Sequence, residues 1–483
     1  FIIAYLILWF IRAIGLDLRS LQGWSLLNQH KNIAWEKLNE DLEILEPNFK
    51  DAPKWHARNL DRVKKYIGHK RIKPSEVIHA IVIATYNESR DVLEPTIQSV
   101  MISNYDMKKV ILVIAYEERG GEDVERNAKQ LVQEYGSKFY WAAAIKHPKD
   151  MPGEVIGKGG NITYAGRELQ KYLEKEGIDP LKVLVTTLDS DNRPDKQYLA
   201  ALTYTYCSTE EPRYASYQPI PMFLNNIWDA PAPMRVIATG NSFWQIVQAL
   251  RPHTLRNFSS HAQPMAALID TDFWSVRTIV EDGHQYWRTF FRYDGKHDVY
   301  PIFTPIYQDA VLADGYRRTL KAQFIQMRRW AWGASDIAYV AYTGFLKPNN
   351  IPRYKVWAKF LRLLEGHISW STSPLILLLA ALVPFFLHPQ SYLANQLPQV
   401  ASKLQQFAMV GILVTLFLSL RMLPPKPERY KHRRTLWMMI QWIYLPVTTI
   451  VYSAFAAIYS QTRLMFGWYL GKFDVTEKAV VKD

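Results

Sequence analysis

The sequence predicts an α/β fold, a parallel sheet covered by helices on both faces, followed by a helical region that meets a membrane. Three apolar runs, over residues 80–84, 110–115 and 183–188, have the length and continuity of strands buried on both faces. Amphipathic stretches over 123–134 and 162–175 fall between them with helical spacing. Beyond Trp330 long apolar segments replace that alternation. Strands and helices in turn imply right-handed crossovers, with ligands gathered at the carboxyl ends of the strands.

Taken in order, residues 1–15 read as the surviving end of a transmembrane helix, being apolar but short of the roughly 20 residues that a span needs. The chain starts at Phe1 rather than Met, as expected if an N-terminal piece has been lost, and no secretory signal is visible. A charged amphipathic connector occupies 16–76, and the α/β unit 77–330. Residues 331–366 hold two helices suited to lie in an interface, over 331–346 and 354–362. The region 367–461 is expected to be transmembrane, with spans over 367–387 and 406–420. The loop between those spans has one basic residue, Lys403, whereas 426–434 has five in nine positions. The positive-inside rule then puts the basic loop and the α/β unit in the cytoplasm of a multi-pass cell-membrane protein. The stretch 435–460 is long enough to span but is interrupted by Gln441 and Pro446. If it re-enters or lies flat, the tail 462–483 returns to the α/β side; if it crosses, the tail is external.

At 483 residues the chain exceeds a single ordinary core. Its 48% apolar content, 16 Trp and 28 Tyr suit membrane contact and sugar stacking. The net charge of +13 is concentrated beside apolar segments, which fits anionic lipid rather than nucleic acid. Cys207 is the only cysteine, which excludes an intrachain disulfide and a thiolate metal cluster.

Five short strings carry chemistry. Thr85-Tyr86-Asn87-Glu88 follows the first strand; Tyr86 offers a ring face and Glu88 an acceptor, while Asn87 is placed to cap the next helix. Gly157-Lys158-Gly159-Gly160 precedes a helix, where glycines permit close approach and Lys158 can meet phosphate, though a flexible loop has the same composition. Asp189-Ser190-Asp191 ends the third strand, as a pair able to hold a hard divalent cation or simply to cap a turn. Glu281-Asp282 opens a helical pattern, where acids also satisfy a helix dipole. Gln326-Met327-Arg328-Arg329-Trp330 stands before the membrane region, where cations and aromatics are ordinary anchors.

In this order, and with Phe473, Val475, Thr476 and Lys478 in the tail, these strings resemble the membrane-integrated family 2 glycosyltransferases, the group of cellulose, chitin and hyaluronan synthases. The resemblance covers the chain from about residue 79. It implies a GT-A (Rossmann-like) cytoplasmic domain, Mg²⁺ or Mn²⁺, and inverting transfer from a nucleotide sugar, most simply a UDP-sugar, to a growing glycan. It assigns Thr85, Tyr86, Glu88, Glu117, Lys158 and Asp189 to the nucleotide sugar, and Asp191 with Asp189 to the metal. Asp282 maps onto the catalytic base, with Val280 where the family has Thr. Gln326, Arg329 and Trp330 map onto the diphosphate and acceptor, and Phe473, Val475, Thr476 and Lys478 onto a gating loop. Glu117 departs from the family's adjacent aspartates by one methylene. The implied partners are the donor, a glycan acceptor, the lipid bilayer and further membrane subunits or copies. Competing expectations are non-processive transfer to a lipid-linked acceptor and a catalytically degenerate scaffold for glycan export.

Overall fold

Alternate residues of each apolar run face opposite ways, and both sets are covered. In the structure, a computed structural model that describes residues 2–68, 71–471 and 478–479, the first four strands are β1 (Ile78–Thr85), β2 (Val110–Glu117), β3 (Trp141–His147) and β4 (Val183–Asp189). Ile81, Ile83, Leu112 and Ile114 face the helices Arg90–Met101 and Glu122–Tyr135. Ala80, Val82, Ile111 and Val113 face the helix Lys158–Lys175. Two buried faces explain why these runs show no polar alternation.

With β5 (Arg193–Pro194), β6 (Ala215–Phe223), β7 (Ala262–Pro264) and β8 (Asp298–Gln308), the strands form one sheet in the order β3-β2-β1-β4-β7-β6-β8-β5. The β1–β2, β2–β3 and β1–β4 pairs are parallel, while β7 runs antiparallel to both β4 and β6. Chain order reverses between β1 and β4, so a crevice opens there beyond the strand ends. The register puts Ala84 beside Asp189 and Thr85 beside Tyr116. Two candidate strings, at Thr85 and Asp189, are thereby lined up along one rim with the end of β2 at Glu117.

The helical parts differ from the sequence expectation in placement. One helix, Ile2–Lys31, runs through the boundary expected at residue 15. It crosses the helix Ala232–Ala249 at Gly23, where a Cβ would stand 2.3 Å from the Ile246 side chain. The span expected over 367–387 is instead the end of a longer helix, Arg353–Leu379, followed by a break and the short helix Leu382–Leu387. The loop expected around Lys403 is helical, Tyr392–Ala408. Among the described residues, two helical stretches are long and apolar enough to cross a membrane, Tyr392–Met422 and Arg433–Met465. A buried core helix can pass the same test, but only 11% of the apolar window of the first is buried. Local apolarity marked the segments; Pro374, Pro398 and the polar stretch 402–406 blurred their ends. The stretch interrupted at Gln441 and Pro446 stays helical, with a 3₁₀ turn at Gln441–Tyr444 and a π-turn at Thr448–Ala454 absorbing the break.

These helices share cores with the sheet domain. Val340, Val356 and Leu363 meet Tyr286, Trp287 and Phe290 of the helix Glu281–Arg292. Leu418, Met438 and Trp442 join Phe223, Met234 and Ile246 in another cluster. The loop between the two apolar stretches grips the turn at Trp228–Asp229. Tyr430 donates to Asp229 Oδ1 at 2.6 Å, Arg429 pairs with the same oxygen at 2.8 Å, and Trp228 Nε1 donates to the Pro424 carbonyl at 3.0 Å.

Candidate active site

Beyond β1 the chain turns sharply, and Glu88 ties that turn. Its Oε2 accepts from the Thr85 hydroxyl at 3.0 Å and from the backbone N–H groups of Tyr86 and Asn87 at 2.8 and 3.2 Å. Ser89, not Asn87, occupies the cap position of the following helix. Gly120 lies against this turn: a Cβ there would come within 1.8 Å of the Tyr86 carbonyl oxygen, so only glycine fits. Glu117, at the end of β2, is buried and paired with Arg119. Burial raises its pKa despite that partner.

Asp189, Ser190 and Asp191 end β4 in the crevice. Lys158 opens the helix Lys158–Lys175 and reaches Asp189 Oδ1 at 2.7 Å and Glu281 at 4.0 Å. Lys478 comes from the C-terminal tail. Its ammonium lies 2.8 Å from Asp191 Oδ1, 2.9 Å from the Ser190 hydroxyl and 3.8 Å from Glu88. A parallel bridge to Leu312 fixes the tail there, with the Ala479 N–H donating to the Leu312 carbonyl at 2.9 Å. The tail thus lies on the α/β side at Lys478. Phe473, Val475 and Thr476 lie outside the described residues.

Ser259 joins the two acidic strings, a link that no motif in the sequence signals. Its hydroxyl donates to Asp189 Oδ2 at 3.2 Å while its backbone N–H donates to Asp282 Oδ2 at 2.5 Å. Ser259 does this at φ of +48°, a left-handed conformation that non-glycine residues adopt rarely. Gln308 holds the Ser259 hydroxyl from β8 at 2.8 Å, and the Gly283 N–H completes the grip on Asp282 at 2.7 Å.

The charges polarise one another. Burial pushes Asp189 upward, but Lys158, Lys478 and Arg329 outweigh it and hold its carboxyl well below the usual range. Lys158 and Lys478 are raised, burial being overcome by the carboxylates they face. On the other side of Ser259 burial wins. Asp282 is raised against the pull of the Ser259 N–H and Lys158. Glu281 is raised to about 7 by burial and Asp282, with Lys158 opposing. Asp309, whose N–H donates to Asp191 Oδ2 at 3.1 Å, is pushed to about 6 by burial and Asp191. The site therefore sets Asp189 and Glu88, held low, beside Asp282, Glu281 and Asp309, whose proton affinity is raised.

All these residues, with Gln326, Arg329 and Trp330 of the helix Tyr316–Ala331, line one cavity of about 1600 Å³. Gln326 accepts from Gln323 at 3.1 Å, and Trp330 leans on Phe223 with ring centroids 5.8 Å apart. The same cavity extends past Arg256 and Trp370 to Arg12 and Leu16 of the first helix.

Among the described residues no three His, Cys, Asp or Glu side chains converge as a ready-made metal cage. The donor chemistry still suits Mg²⁺ or Mn²⁺, which take one or two carboxylates and complete their shell with phosphate oxygens and water. Asp189 and Asp191 supply such oxygens on one turn, and Asp191 already carries a cation, the Lys478 ammonium.

No protein-family model and no curated protein matches this sequence. Among solved structures, the chain is similar to the mannosyltransferase PcManGT from Pyrobaculum calidifontis, in complex with GDP-Man and Mn²⁺, at 13% identity and a TM-score of 0.42, over 92% of this chain and 99% of that one. It is similar to S. aureus TarS 1-349, in complex with UDP-GlcNAc, at 12% identity and a TM-score of 0.40, over 81% of this chain and 92% of that one. Likeness at this level decides nothing about the chemistry, which rests on the geometry.

Proposed function

We propose that this chain is a membrane-associated, metal-dependent inverting glycosyltransferase that moves a sugar from a nucleotide diphosphate, most simply a UDP-sugar, to a growing glycan. The observation that carries the reading is the Ser259 link, whose hydroxyl and backbone N–H hold Asp189 and Asp282 side by side. A displacement at the anomeric carbon requires a carboxylate that can take the acceptor proton beside carboxylates that can hold counter-charge for the leaving diphosphate.

Tyr86 and Glu117 face the base, and Asp189 the ribose and the metal. Asp189 and Asp191 would hold Mg²⁺ or Mn²⁺, which would supply counter-charge to the diphosphate. Lys158, Lys478 and Arg329 add fixed positive charge on the same side. Asp282 accepts the proton of the acceptor hydroxyl as that oxygen bonds to the anomeric carbon. The bond from that carbon to the phosphate oxygen breaks, the electron pair leaves with the nucleoside diphosphate, and the configuration inverts. Trp330 presents a ring plane to the C–H face of the acceptor sugar, with Gln326 beside it. The cavity running on to the first helix gives an elongating product a way towards the lipid, and the exposed apolar helices support a membrane location. The deciding experiment incubates the purified protein with a panel of nucleotide sugars and Mg²⁺ or Mn²⁺, scoring nucleoside diphosphate release and product size. No release from any donor, or release that survives chelation unchanged, would refute the reading.

A further inference from the structure

The acceptor half of the cavity is lined by arginines that the chemistry above does not employ. Arg256 stands three residues before Ser259, and its guanidinium lies over the Trp287 ring at 5.8 Å. The charged groups acting on it are Asp336, Arg362 and Asp282, not the acids of the donor side. Among the described residues neither Arg256 nor Arg362 forms an ion pair, and both line the cavity, as do Arg19 and Arg251. The acids nearby are already engaged. Asp336 holds His284 at 2.6 Å, Glu365 pairs with Arg12 at 2.9 Å, and Asp282 is held by two backbone amides.

This wall therefore carries surplus positive charge, and Arg256 is the half-buried member of it, whereas Arg362 and Arg19 are exposed. Burial lowers the pKa of Arg256, a sign that its charge is poorly solvated. A charge kept there without a carboxylate paired to it costs stability unless a ligand supplies the opposite charge. On the proposed function the donor would not supply it, because its diphosphate would be met by Lys158, Lys478 and Arg329, the cations that act on Asp189. Guanidinium groups match the paired oxygens of phosphates and carboxylates, and a neutral glycan offers neither.

We infer that the acceptor is anionic, bearing a phosphate or a carboxylate close to the sugar that is extended, and that Arg256 and Arg362 grip that group. The inference deepens the transferase reading and rests on it. An anionic oxygen in that position has two sources, the phosphate of a lipid-linked sugar or the carboxylate of a uronic acid residue.

The test uses the full chain in detergent with whichever donor releases nucleoside diphosphate. It compares three acceptors: a neutral oligosaccharide, a uronate-containing oligosaccharide and a polyprenyl-diphosphate-linked sugar. One anionic acceptor should be used at far lower concentration than the neutral one, and which one names the source. Arg256→Gln and Arg362→Gln should raise its half-saturating concentration by about tenfold or more while moving that of the neutral acceptor by less than about twofold. Lys426→Gln, outside the cavity, is the unchanged control. Arg362 is exposed, so its variant reports even if Arg256→Gln does not fold. Preference for the neutral acceptor, or equal losses on all three, would overturn the inference. Absence of nucleoside diphosphate release from any donor would instead sink the transferase reading itself.

Discussion

The sheet domain and the helical region after Trp330 bury their apolar residues in opposite ways. In β1 and β2 nearly every aliphatic side chain is buried, and polar groups at the strand ends are tied by named hydrogen bonds. In Tyr392–Met422 large apolar side chains face outward: Leu393 is 76% exposed, Phe407 66% and Leu413 65%. The first region is stabilised by its own interior and can hold charges at fixed spacing. The second turns large apolar side chains outward, a surface that fits the membrane contact proposed above. On the proposed function, chemistry and anchoring would be divided between these two kinds of packing.

The largest expected effects come from breaking the charge geometry of the sheet domain. Asp282→Asn preserves size but cannot take the proton, so turnover should fall at least ~10²-fold while donor binding, followed by equilibrium titration, persists. Asp191→Ala should abolish metal-stimulated transfer with an unchanged circular dichroism spectrum. If donor affinity collapses in Asp282→Asn while bound donor turns over normally, Asp282 belongs to the nucleotide site instead. Next comes the outward face of the helical region. Leu413→Arg should cost about 2.5–3.5 kcal/mol of insertion if that residue meets lipid at mid-span, lowering the membrane-bound fraction. Were it merely solvated surface, the change would fall within about ±0.5 kcal/mol and the contrast between the regions would fail.

Lys158→Met strips the counter-charge from Asp189 and Glu281. Breaking a buried pair costs about 3–5 kcal/mol, but Asp189 is 36% exposed, so a loss of about 2 kcal/mol in denaturant unfolding is expected. Glu281 gives a pH signature. Its folded pKa, raised to about 7, exceeds the ordinary value of 4.5, so it contributes stability below about 4.5 that is lost as pH rises through 7. Glu281→Gln should flatten the melting temperature between those limits; an unaltered slope would remove Glu281 from the coupled group. Trp330→Ala should harm acceptor use more than donor hydrolysis, shortening products. Unchanged product length in a correctly inserted protein would leave Trp330 as packing against Phe223 alone.

The sheet domain was legible because its signals are local. An apolar run buried on both faces and a short acidic string after it suffice to locate β4 with Asp189 and Asp191. The helix at Lys158 starts earlier than amphipathicity indicates, since Gly159 and Gly160 carry no apolar pattern. Ser259 was invisible because its role lies in a backbone amide and a positive φ, which leave no trace in residue type. Arg256 and Asp309 were likewise missed: the groups beside them, the Trp287 ring and Asp191, are distant in sequence, and only the fold brings them together. Helix ends in 367–422 were read poorly because outward-facing and inward-facing apolar residues look alike in one dimension.

The loop that closes on Asp229 has a geometric consequence. It springs from the ends of the two apolar helices and is fastened to the sheet domain by Tyr430, Arg429 and Trp228. A bilayer that fixes the depth of those helices would fix the altitude of Asp282 above the lipid headgroups as well. The reach from lipid to catalytic base then becomes a set dimension of the protein, and acceptors would be sorted by length as well as by chemistry. Cutting the clasp with Asp229→Ala would let that altitude vary, and the spread of product sizes should widen even where the average rate holds.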